Sequence, residues 1–125
     1  MSDAMEKGYE VVNRLLGPEV ATAMKAAVAK KEFGGEIGEL AVLYPFGTLW
    51  SREGLGPRDR SLVTLGILIA LRATEEMEYH FPLAMKNGVT IPELEEVIYH
   101  ASGYAGFPAA ATARQVAKAI IEKMA

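Results

Sequence analysis

From Leu62 to Leu71 the chain reads LVTLGILIAL, with Thr64 as its one polar side chain. A stretch that is apolar on nearly every side belongs to a helix inside a bundle. The predicted helix runs from about Pro57 to Arg72 and should be central. Its apolar run is about half the roughly 20 residues needed to span a bilayer. The remaining pattern is one of further helices set apart by glycine and proline. Asp3 and Glu6 are spaced as a capping box opening a helix over 3–16, which stops at Gly17-Pro18. Pro18 suits the first turn of a second helix reaching about Lys31. Over 36–50, Ile37, Leu40, Ala41, Leu43, Tyr44 and Leu49 recur at mostly helical spacing, and Pro45 and Gly47 should bend or break that element.

SREGLGP (51–57) reads as a loop. EEMEYHFPLAMKNG (75–88) reads as a helix ending at Asn87-Gly88, a left-handed cap. Thr90 and Glu93 form a second capping box, for a helix to about Tyr104. Gly106-Phe107-Pro108 is a turn from which Pro108 starts the last helix. No stretch shows the period-2 alternation of a strand, and no repeat is visible. The expected fold is all-α, a single-domain helical bundle over 1–125.

Composition narrows the function classes. Half of the 125 residues are hydrophobic and 23% are charged, which excludes a disordered chain. So high an apolar share in a small domain leaves surface for a partner subunit to cover, so a homo-oligomer is expected. Net charge is −3, with no Lys/Arg run to track a phosphate backbone, so no nucleic-acid partner is expected. The start, MSDAMEKGYE, lacks the basic-then-apolar pattern of a signal peptide. A cytoplasmic protein with no membrane partner is the expectation. There is no cysteine, which removes disulfides, thiolate metal sites and thiol redox chemistry together.

Five features bear on chemistry. Glu76 and His80 are spaced i, i+4, so the carboxylate can orient the imidazole and raise its basicity. Alone, such a pair is common on surface helices and reads as structural. Pro82 removes an N–H beside it and frees the Glu78 carbonyl. Glu96 and His100 repeat the spacing one helix later. Four such side chains suit a transition metal, but the pattern is not distinctive, and no metal site is expected. WSREGLGPRDRS places Trp50, Arg52, Arg58 and Arg60 around a helix start. Guanidinium forks there bind carboxylates, and cations at a helix N-terminus oppose its dipole, which hints at an anion nearby. In YAGFPAAATA the small residues suit close helix packing, and Tyr104 is equally placed for packing or for a ligand.

Taken in order, Trp50-Ser51-Arg52 with Gly54-Leu55, Arg60 to Leu65, Glu76 with His80, Asn87 to Thr90, Glu96, and Tyr104 to Ala110 resemble the carboxymuconolactone decarboxylase family over roughly residues 35 to 120. The resemblance implies the helical fold shared with the alkylhydroperoxidase D group, in trimers or hexamers. In the peroxidase branch a CxxC precedes the family histidine by seven and four residues, and a glutamate precedes it by nineteen. Those positions here are Ala73, Glu76 and Ser61, so thiol peroxidase activity is excluded.

The decarboxylase branch remains. Its named member takes CO₂ from 4-carboxymuconolactone in aromatic catabolism without a cofactor. By this resemblance His80 is the acid/base or oxyanion partner and Glu76 orients it. Arg52 and Arg60 clamp carboxylates, and Trp50, Tyr104 and His100 line the substrate pocket. The family's decarboxylases often read HLRGALNNG where this chain has HFPLAMKNG, so Pro82 and Lys86 replace an arginine and an asparagine. That departure keeps two other readings open. One is an isomerase or hydrolase acting on another small carboxylated substrate, the other a non-enzymatic ligand-binding oligomer.

Overall fold

The computed structural model describes residues 2–124, and the described residues are helical with no strand. Two compact units divide the chain, Met1–Leu55 and Gly56–Ala125.

The first unit holds α1 (Asp3–Leu16), α2 (Pro18–Ala29) and α3 (Glu36–Ala41), the last running on as a π-helix over Val42–Leu49. Ser2, rather than Asp3, caps α1: its hydroxyl accepts from the Met5 N–H at 3.2 Å. Asp3 and Glu6 instead place their charges in the first turn, where the helix dipole favours them. Tyr9, Val12, Ala21 and Val42 bury together as the unit's core.

Pro45, expected to bend or break the third element, does not end it. It lies inside the π-helix, whose i→i+5 bonding ends with the Trp50 N–H on the Pro45 carbonyl at 2.8 Å. Two glycines show what the wide turn achieves. A Cβ built on Gly8 would overlap the Val42 carbonyl oxygen, and one on Gly47 would overlap the Ala4 carbonyl oxygen. The backbones of α1 and the π-helix therefore touch directly at two points.

The second unit packs α4 (Pro57–Leu71) against α5 (Thr74–Lys86), α6 (Ile91–Ala105) and α7 (Phe107–Met124). Leu65 and Ile69 of α4, Met77 and Phe81 of α5, and Leu94 and Ile98 of α6 share one core with the alanines of α7. Those alanines (Ala109, Ala110, Ala113 and Ala117) are small enough for α7 to lie close to its neighbours. So α4 is central, yet its apolar character exceeds what this unit covers. Val63, Ile67 and Leu71 remain more than half exposed.

The turn from α4 to α5 is tight. Arg72 takes the left-handed conformation (φ 55°) that ends α4, and its guanidinium donates to the Thr112 hydroxyl of α7 at 2.9 Å. At the other end of α5 the left-handed residue is Gly88 (φ 102°), one place after Asn87. Helix α5 runs through Pro82 without ending, and both Pro82 and Glu78, one turn back, are exposed residues.

Thr90 and Glu93 form the predicted capping box. The Thr90 N–H donates to Glu93 Oε1 at 2.9 Å, and the Glu93 N–H donates to the Thr90 hydroxyl at 3.2 Å. Arg58 of α4 also donates to Glu93. The anion that the N-terminal arginines hinted at is thus partly internal. The Thr90 N–H and then the Arg58 guanidinium hold the Glu93 carboxyl at about 2, against an ordinary 4.5. A depressed carboxylate adds stability that is complete above its unfolded value and is lost as pH falls through the folded one.

Two outcomes are expected. Gly8→Ala or Gly47→Ala lowers stability by about 1–3 kcal/mol in urea unfolding, because backbone must move to admit the methyl. Glu93→Gln lowers the melting temperature near neutral pH, and the gap to the natural chain closes as pH falls from about 4.5 toward 2. A gap that persists unchanged to pH 2 contradicts the assignment.

Candidate active site

Helix α5 owes its orientation to its buried positions. Met77, Phe81 and Ala84 recur at i, i+4 and i+7 and face the core. His80 precedes Phe81 by one position, or ~100° around the helix, which leaves it half-buried at the rim. Glu76 lies one turn earlier on the same side and is exposed. Burial pushes the His80 imidazole below its usual value, and the Glu76 charge opposes that shift without cancelling it. His80 is thus held neutral near pH 7, with a carboxylate beside it. Its Nδ1 atom is buried and makes no hydrogen bond within the chain, while the ring has other interactions.

α4 and α5 are antiparallel, since Asn87 at the end of α5 reaches Ser61 and Pro57 at the start of α4. In that register His80 lies level with the C-terminal half of α4. By that register Arg60 lies about two helical turns from the level of His80 along α4. Arg60 is half-buried, and its backbone carbonyl accepts from the Thr64 hydroxyl at 2.8 Å.

The other candidates lie elsewhere. His100 and Tyr104 meet on α6, their ring centroids 5.1 Å apart, and line a groove of about 1050 Å³ between α4 and α6. Leu62, Gly66 and Ala70 of α4 and Val97, Ala101 and Ala105 of α6 form its floor, with Arg58, Glu93 and Glu96 among its polar lining. Arg58 at the start of α4 pairs with Glu93 at the start of α6, so the two helices run side by side in one direction. His80 is not among the lining residues, so the two Glu/His pairs belong to different places. Among the described residues no three His, Asp or Glu side chains gather to hold a metal. Trp50, buried, and Arg52, exposed, belong to the first unit.

Sequence reasoning missed Asn87, which it treated only as a cap, and Ser61, the one buried polar side chain among the described residues. No local pattern signals their contact, because 26 positions separate them.

The carboxymuconolactone decarboxylase family model matches residues 35–119. The 4-carboxymuconolactone decarboxylase of Acinetobacter baylyi is 33% identical over 119 residues, covering 95% of this chain and 87% of that protein. The nitrosuccinic acid decarboxylase of Metarhizium robertsii is 36% identical over 120 residues, covering 95% of this chain and 82% of its own. An uncharacterized 15.0 kDa protein of Paracoccus denitrificans is 27% identical over 129 residues, covering 96% and 95%.

Removing Glu76 tests the electrostatics directly. Glu76→Gln lowers the titration midpoint of His80 further, since the opposing charge is gone, while His100 serves as the in-molecule control. Two-dimensional NMR of the histidine ring protons reads both, and a His80 midpoint that rises or stays put contradicts the account.

Proposed function

Because the chain belongs to the carboxymuconolactone decarboxylase family, we propose that it is a cofactor-free carboxy-lyase acting on a small dianion, a 4-carboxymuconolactone-like lactone acid of aromatic catabolism. The observation that supports this most is His80. It is half-buried, kept neutral by desolvation, and flanked by Glu76, in a chain whose matched relatives include two named decarboxylases.

The chemistry follows from where charge develops. The bond between the ring carbon and its carboxylate breaks, CO₂ leaves, and the electron pair passes through the conjugated system to the lactone carbonyl oxygen. A neutral imidazole N–H at that oxygen stabilises the developing anion without carrying a competing charge. The resulting dienolate then takes up one proton at the carbon next to the lactone carbonyl, so each turnover consumes one proton from solvent. Arg60 holds the carboxylate that is kept, by a two-point guanidinium contact. Glu76 keeps the imidazole oriented and basic enough to return the proton. The exposed Val63, Ile67 and Leu71 favour a homo-oligomer, in which this apolar row is covered.

A second substrate reading has its own support. The nitrosuccinic acid decarboxylase matches slightly better in identity, at 36%. A nitro group accepts the electron pair of a departing carboxylate as a lactone carbonyl does, so the same three side chains serve either acid.

Purified protein supplied with 4-carboxymuconolactone, and separately with nitrosuccinic acid, is expected to release CO₂ from at least one. His80→Ala lowers kcat/KM on that acid by about 10²–10⁴-fold with the circular dichroism spectrum unchanged, and Arg60→Ala mainly raises KM. Folded protein that releases CO₂ from neither acid disproves the reading.

A further inference from the structure

We infer that Asn87 and Ser61 form a positioning latch that sets where His80 stands against α4. This rests on His80 being the acting histidine. Ser61 is 1% exposed, and burying a hydroxyl costs free energy unless it is hydrogen-bonded. Asn87 supplies that bond, its Nδ2 donating to Ser61 Oγ at 3.0 Å and reaching the Pro57 carbonyl at 3.5 Å. One amide therefore spans a full turn of α4, which fixes both the height and the rotation of the end of α5.

The rest of the contact between α4 and α5 is built from Leu65, Ile69, Met77, Phe81 and Ala84. Apolar packing fixes which face of α5 turns inward, but it carries no directional bond and so sets the finer height of one helix along another less tightly. The latch supplies the direction. Asn87 lies seven residues after His80, about two turns on, and therefore on the same face of α5. Pro82 falls between them and removes one backbone hydrogen bond from that span. A shift of ~1 Å at a reacting group is enough to cost ~100-fold in rate.

The experiment uses the full chain with Asn87→Ala, Ser61→Ala and both together, each verified as folded by circular dichroism. Ser61→Ala removes one oxygen and favours helix, so it keeps the test open if Asn87→Ala fails to fold. The first readout needs no substrate: the ring ¹H–¹³C resonance of His80, with His100 as control. It is expected to move in each variant while His100 stays in place. The second is steady-state kinetics on whichever acid is turned over. There kcat is expected to fall about tenfold with KM within about twofold, and the double variant to match the worse single one, as two ends of one bond must. A His80 resonance unmoved in the folded variants, or a double variant showing the product of two independent losses, overturns the latch. If neither acid is turned over, the resonance alone decides, so failure of the activity reading and failure of the latch are told apart.

Discussion

The burial of Phe81 and Met77 is the constraint on which the candidate site depends. Both are fully buried in the core that α4, α6 and α7 share with α5. Truncating a phenylalanine at such a position costs ~3–5 kcal/mol, a large part of the stability of any domain this size. α5 therefore has little freedom about its own axis. Once Phe81 points inward, His80 must stand at the rim, neither solvated nor fully enclosed. Its lowered basicity comes chiefly from that placement, with the Glu76 charge opposing it.

Polar contacts refine what the core sets roughly. Asn87 binds Ser61 at the start of α4, Arg72 reaches Thr112 on α7, and Arg58 joins the Glu93 that caps α6. Each ties the end of one helix to a different helix, and each involves a group that would otherwise be a cost. Ser61 would be a buried hydroxyl, Arg72 a strained left-handed residue, and Arg58 a cation at a helix N-terminus. The second unit is held by apolar packing in its middle and by directional bonds at its ends. That division suits a fold in which chemistry sits on a helix face.

Much of this was legible in the sequence, for identifiable reasons. Glycine and proline mark helix ends through backbone sterics alone, so Gly17-Pro18, Pro57 and Gly106 fall at real boundaries. The capping box of Thr90 and Glu93 is local and formed as expected. The Asp3–Glu6 box did not form, because Ser2 stands one position earlier and caps equally well. At Pro45 the sequence left bend and break open, for a different reason. Whether a proline breaks a helix or widens it depends on what touches the far side, and here α1 lies against the π-helix backbone at Gly8 and Gly47.

By itself the sequence determined an all-helical chain, its lack of thiol chemistry, its family and the histidine on which to look for function. These depend on residue identity, on spacing within one helix, or on motifs read in order. Tertiary structure alone decided that His80 is desolvated while Glu76 is not, that the His100–Tyr104 pair lines a separate groove, and that Arg58 is paired with Glu93. It also decided that Ser61 meets Asn87. Those outcomes depend on which helix faces which, and on the register between them, and neither is encoded in any single stretch of chain.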